Sequence, residues 1–179
     1  MKQRADSRGF TLIEVLVTMI VMAAGLLGLA KMQALAISAT KTSGSRGLIS
    51  LQASGLADLM HADRAYWASG VAPARFTAFG TTVIDPTHVL DAALVGAACT
   101  LFCTPAQLAA NDVQAWMLDM NNQFPSYTAK VDCTNGVGQP VSCQIYITWQ
   151  EKTVAINKTT ATGSSKQNST ESFSVYVQP

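Results

Sequence analysis

Phe10-Thr11-Leu12-Ile13-Glu14-Val15-Leu16-Val17-Thr18-Met19-Ile20-Val21-Met22-Ala23-Ala24-Gly25-Leu26-Leu27-Gly28-Leu29-Ala30 is the stretch that decides the fold. A helix of about 20 apolar residues crosses the hydrocarbon core of a bilayer, and this run is that long. One residue breaks the pattern: Glu14 lies near the start of an otherwise uncharged segment. A carboxylate in hydrocarbon costs roughly 2.5–3.5 kcal/mol on insertion scales, so it normally has a partner. A glutamate that snorkels to the headgroups is the alternative reading of the run taken alone.

The flanks narrow the choice. The leader Met1-Lys2-Gln3-Arg4-Ala5-Asp6-Ser7-Arg8-Gly9 carries three basic residues and one acid, which keeps it on the cytoplasmic side. A secretory signal is cut after its apolar region, at small residues. Here the small residue, Gly9, precedes the apolar run. Cleavage between Gly9 and Phe10 would keep the helix as the mature N-terminus, with an ammonium on Phe10 four residues before Glu14.

Gly9-Phe10-Thr11-Leu12-Ile13-Glu14 resembles the prepilin signal of type IV pilins and type II secretion pseudopilins. The continuation through Gly25-Leu26-Leu27-Gly28-Leu29-Ala30-Lys31-Met32-Gln33 is similar to PilV-type minor pilins, as is, more weakly, Cys103–Trp116. The resemblance implies leader removal after Gly9 and N-methylation of Phe10 by a prepilin peptidase/methyltransferase. It implies Glu14 as the subunit-assembly residue, pairing with the N-terminal amine of a neighbour. The physics agrees: an ammonium and a carboxylate attract strongly in low dielectric, and leaving either unpaired is heavily penalised.

Four segments are expected: a leader over 1–9, a transmembrane and assembly half-helix over 10–32, an amphipathic half over 33–64, and an α+β head over 65–179. No proline occurs before Pro73, and 31–64 is rich in Ala, Leu and Gln, so the helix should run on to about Asp63, roughly 80 Å. The expected buried stripe is Leu48, Leu51, Gly55 and Leu59, with Ile49, Leu56 and Met60 beside it. Arg46, Ser50, Ser54, Asp58 and His61 form the polar side. Gly25, Gly28, Gly44, Gly47 and Gly55 mark either a flexible stalk or small-residue packing.

In 65–98, Gly70, Pro73, Gly80 and Asp85-Pro86 signal turns, and Thr81–Ile84 a short strand. Tyr66, Trp67, Phe76 and Phe79 read as cover over the helix. Thr104-Pro105-Ala106-Gln107 is a capping box with proline at the first helical position. It opens a helix with Val113, Met117, Met120 and Phe124 on one face and Trp116 alongside, stopped by Pro125. Strands are expected at Tyr127–Asp132, Ser142–Glu151 and Glu171–Val177. The stretch 134–140 reads as a hairpin loop and Thr153–Thr170 as a polar one.

The 179 residues suit one modest domain plus a helical stalk; 49% are apolar and only 13% charged. Losing the leader removes two positive charges from the formal +1, leaving −1, so no nucleic-acid partner is predicted from bulk charge. Four cysteines in an exported chain allow three connectivities. The local pairs Cys99–Cys103 and Cys133–Cys143 are favoured, and the spacing with no nearby histidine fits zinc poorly. No metal site, cofactor or catalytic constellation is expected. Ser38-Ala39-Thr40-Lys41 matches a serine-hydrolase pattern only on a single helix, where no cleft can form.

The fold class is therefore α+β, a type IV pilin fold with a long N-terminal helix on a small antiparallel sheet. The expected role is a non-enzymatic minor pilin, held in the inner membrane with its head periplasmic, then displayed in the pilus fibre or tip. The resemblance implies other minor pilins, the major pilin and the inner-membrane assembly machinery as partners, and a tip adhesin as a further one. A type II secretion pseudopilin shares every feature of residues 9–30. An adhesive or DNA-capturing tip module is the remaining alternative.

Overall fold

The computed structural model describes residues 10–92, 103–134, 140–152 and 168–179. The chain divides into two compact units, Met1–Lys41 and Thr42–Pro179. Helix α1, Leu12–Ala62, starts in the first and ends in the second. Its glycines do not break it. A Cβ added at Gly25, Gly28, Gly44, Gly47 or Gly55 would meet nothing within 4 Å, so no close packing inside this chain requires them.

The second unit continues with α2 (Arg64–Trp67), β1 (Arg75–Phe79), β2 (Thr82–Ile84), α3 (Pro105–Gln123), β3 (Thr128–Cys133), β4 (Cys143–Lys152) and β5 (Asn168–Val177). The strands form one antiparallel sheet in the order β2-β1-β3-β4-β5. A long N-terminal helix packed on a small antiparallel sheet is the α+β architecture expected, and it is consistent with the pilin fold.

The core follows from period 2 on the strands and period 3.6 on the helices. β4 turns Cys143, Ile145, Ile147 and Trp149 inward, and β3 contributes Ala129 and Val131. α3 contributes Ala109, Ala110, Val113, Trp116, Met117 and Met120. Its capping box is complete: the Thr104 side chain accepts from the Gln107 amide, and the Gln107 side chain accepts from the Thr104 amide. The Trp116 indole N–H donates to the Gln52 carbonyl at 2.9 Å, tying α3 to α1. Tyr66, Trp67 and Phe76 are buried as the expected cover, whereas Phe79 is 40% exposed. Trp67 meets Tyr66 edge-to-face, ring centroids 5.1 Å apart, and lies tilted against Phe76 at 5.9 Å.

Three expectations need correction. The buried stripe of α1 is Ile49, Ala53, Leu56 and Met60, while Leu48 and Leu51 face outward. β1 was absent from the expected strands, yet it pairs with both β2 and β3. Residues Asn168–Thr170, assigned to a loop, are the start of β5 and pair with Lys152, Glu151 and Gln150. Cys133 and Cys143 form the expected disulfide across directly opposed positions of β3 and β4, with Cα atoms 4.0 Å apart. Cys103 is disulfide-bonded, and Cys99, its expected partner, lies outside the described residues. So do Gly9 and the rest of the leader, the tip of the 134–140 hairpin and most of the 153–170 segment.

Candidate functional site

In the first unit, Phe10 is 83% exposed and Thr11 caps α1. The Glu14 amide donates to the Thr11 carbonyl at 3.1 Å and to its hydroxyl at 3.4 Å. Thr11-x-x-Glu14 is itself a capping-box spacing, a signal the sequence reading passed over in favour of the carboxylate. Glu14 thus lies in the first turn of α1, where the helix macrodipole favours a negative charge. Its carboxylate has no partner among the described residues.

Helix α1 is long and apolar enough to span a membrane, and none of its most apolar window is buried. Two hydroxyls in this unit are turned back on the helix: Thr18 donates to the Val15 carbonyl at 2.8 Å, and Thr40 to the Ala36 carbonyl at 3.0 Å. That spares each hydroxyl an unsatisfied bond in an apolar surrounding.

In the second unit, Arg46 lies on the expected polar side of α1, its side chain 54% exposed, and closes a clamp there. Its guanidinium contacts both Glu151 carboxylate oxygens, at 3.3 and 3.4 Å, and Glu171 at 3.0 Å. The Ser45 hydroxyl and the Trp149 indole N–H add bonds to Glu151 at 3.0 and 3.1 Å. Burial by itself would raise the Glu151 pKa, but the donors Arg46, Ser45 and Trp149 outweigh it and hold the carboxyl below its usual range. The clamp fixes α1 against β4 and β5.

A second polar cluster lies beyond the end of α1. Asp85 is buried, yet amides of Thr87, Val89 and Leu90 and the Thr87 hydroxyl all donate to it. These donors overcome burial and lower its pKa. Asp63 is the reverse case. Burial and then the charge of Asp112 raise its pKa, and its Oδ2 has no hydrogen-bond partner among the described residues. Burial, followed by Asp85 and Asp63, pushes the Tyr66 phenol up to about 12. Among the described residues no group of three or more His, Cys, Asp or Glu side chains could hold a metal. His61 is exposed on α1, and His88 pairs with Asp91.

The prokaryotic N-terminal methylation motif matches residues 4–30. No curated protein and no solved structure matches the chain. The motif, the exposed apolar helix and the α+β head together support a prepilin of the type IV pilin or pseudopilin kind. This motif implies processing by a prepilin peptidase, anchoring in the membrane and handling by pilus assembly machinery. It marks structural rather than enzymatic proteins.

Proposed function

We propose that this chain is a PilV-type minor pilin of the type IV pilus. The observation that carries the reading is the methylation motif running into an exposed helix with one acidic residue, Glu14, in its first turn. In this scheme residues 1–9 are the leader. Residues 10–32 serve as the transmembrane and assembly half-helix, 33–64 as the amphipathic half, and 65–179 as the displayed head. A prepilin peptidase/methyltransferase cuts between Gly9 and Phe10 and methylates Phe10.

Glu14 then pairs with the N-terminal amine of a neighbouring subunit in the inner membrane. That pairing sets one axial offset between helices, because any other offset strands two charges in hydrocarbon. The chain joins other minor pilins in a complex that primes assembly by the inner-membrane machinery. It is extracted with the growing fibre of major pilin and displayed at or near the tip, supporting motility and adhesion. The continuation Gly25–Gln33 favours this over a type II secretion pseudopilin.

Deletion of the gene, with surface pili counted in the presence and absence of retraction, tests the reading. Loss of pili that blocked retraction restores is the expected result. Unchanged pili with a secreted enzyme trapped in the periplasm would assign the chain to the pseudopilus. Glu14→Ala should be processed but assemble poorly; normal piliation of that variant would remove Glu14 from the mechanism.

A further inference from the structure

Within the second unit, α1 is attached in two different ways. From Ile49 onward it is held by apolar packing: Ile49, Ala53, Leu56 and Met60 are fully buried, and Ala57 and Leu59 pack against the same core. The two turns before that, residues 42–48, bury no apolar side chain. Leu48 is 47% exposed. Among the described residues, what ties these turns to the sheet is the clamp: the Ser45 hydroxyl and the Arg46 guanidinium on Glu151, and Arg46 again on Glu171.

The same stretch is poor helix by composition. Gly44-Ser45-Arg46-Gly47 places two glycines within one turn, and each lowers the local helix equilibrium about fivefold against alanine. Packing does not demand them, since a Cβ at either position would meet nothing within 4 Å. The serine between them has divided loyalty. Its hydroxyl lies 2.8 Å from the Thr42 carbonyl and 3.0 Å from the Glu151 carboxylate. One hydroxyl proton serves either the sheet or the helix's own backbone, and a back-bond of the second kind competes with regular helix.

The partners of Arg46 need it as much as it needs them. Glu171 stands opposite Trp149 in the register, diagonal to Glu151 on the neighbouring strand. The two carboxylates share the inner face and repel unless a cation lies between them. Arg46 is that cation, and it is supplied by the stretch of α1 that has no apolar anchor.

We propose that residues 44–47 are a latched hinge in α1, and that Arg46, bridging Glu151 of β4 and Glu171 of β5, is the latch. With the latch closed, the glycine pair is held helical. With it open, α1 frays at 44–47, while the apolar anchor from Ile49 onward keeps the rest of the helix on the sheet. The hinge opens without unfolding the head because the two attachments share no residue. Arg46 is 54% exposed, so a released guanidinium turns to water and is not stranded in the core. Glycine is what such a point uses: alanine would fit at both positions and hold the helix with the latch open or closed. The hinge lies within one chain and is independent of the fibre that chain joins.

Amide hydrogen exchange of the full-length chain in detergent micelles, read by mass spectrometry of peptides covering 42–48, 49–62 and the β3–β4 pair, tests the hinge. Glu151→Gln with Glu171→Gln removes both anions and leaves no buried charge unpaired. Exchange over 42–48 should rise about tenfold or more, while 49–62 and the sheet keep wild-type protection. Adding Gly44→Ala and Gly47→Ala to that variant should slow exchange over 42–48 again by about tenfold or more.

Unchanged exchange over 42–48 in the Glu151→Gln, Glu171→Gln variant overturns the proposal, because other contacts would then hold those turns. A rise shared equally by 49–62 overturns it as well, since α1 would then leave the sheet as one piece. So does failure of the alanines to restore protection. If the paired variant loses protection throughout the sheet, Glu171→Gln alone, which keeps Arg46 on Glu151, should raise exchange over 42–48 to a smaller extent, and the same three outcomes decide.

Discussion

Removing the Cys133–Cys143 bridge should destabilise the head by an amount that loop entropy sets. The bridged residues are 10 apart in sequence. Cross-linking a loop of about ten residues withdraws roughly 9 cal/mol/K from the unfolded chain, or about 2.7 kcal/mol at 25 °C. Cys143 is fully buried, so Cys143→Ala avoids placing a hydroxyl there, and Cys133→Ser completes the pair. Trp67, Trp116 and Trp149 are all buried within Thr42–Pro179. Their fluorescence reads unfolding of the head while α1 of the full chain is held in a micelle. With a urea slope of about 2 kcal/mol/M, the midpoint should fall by about 1.3 M. Reductant should change the double variant far less than the wild type, since it then reaches only the bridge at Cys103. A midpoint shift below about 0.3 M would refute the reasoning, because the β3–β4 neck would then be closed in the unfolded chain without its bridge.

Acid should open the clamp. The folded pKa of Glu151 is depressed from about 4.5, so its stabilisation is present above that value and lost as pH falls through the folded pKa. Glu151→Gln should flatten the stability profile in that window, checked by urea titrations between pH 2 and 6. Asp63, whose pKa is raised from 3.8, contributes with the opposite sign: its stabilising contribution is present below that value and lost as pH rises. Asp63→Asn should therefore remove that loss, making the head more stable than the wild type at neutral pH but not in acid, and thermal melts across pH read it. Leu56→Ala should cost about 2–5 kcal/mol, while Leu51→Ala, at a 68% exposed site, should stay within about 0.5 kcal/mol. Gly9→Val should block leader removal, visible as an unshifted band on a gel.

The elements legible in the sequence are those with a complete local signal. α1 was readable as an apolar run followed by 32 residues without proline. α3 was readable from its capping box, and β4 from strict alternation over Cys143–Trp149. The misses share a cause, which is that the deciding partner is remote. β1 buries only Phe76 and Ala78, too short an alternation to stand out among turn residues, and it becomes a strand because β3 lies against it. The α1 stripe was misplaced because leucines at 48 and 51 outweigh Ala53 in hydrophobicity, whereas the sheet and α3 accept the side that carries Ile49, Ala53, Leu56 and Met60. The polar side of α1 was legible but the partner of Arg46 was not, because Glu151 is 105 residues away. The first residues of β5 are as polar as a loop, which an edge strand tolerates on its outer face.

Glu14, in the first turn of α1, and Glu151, on β4 but held by Arg46 of α1, meet opposite surroundings. Glu151 is removed from water by its own fold, and that fold supplies Arg46, Ser45 and Trp149 to satisfy it. The clamp is complete within one chain, so it can form as soon as the head folds. Glu14 stands on a segment whose apolar side chains, from Leu12 to Leu29, are exposed. Its amide is satisfied by Thr11, but its carboxylate finds nothing among the described residues. In hydrocarbon such a group requires a cation from elsewhere. The cation that removal of residues 1–9 would create is an N-terminal ammonium at Phe10, and on the same chain it would lie on the turn below Glu14 rather than opposite it. In the proposed assembly the complementary arrangement would be reached between helices, each offering an ammonium to its neighbour's carboxylate. On the proposed function, assembly, in a pilus or a pseudopilus alike, would be the step at which the charge is neutralised.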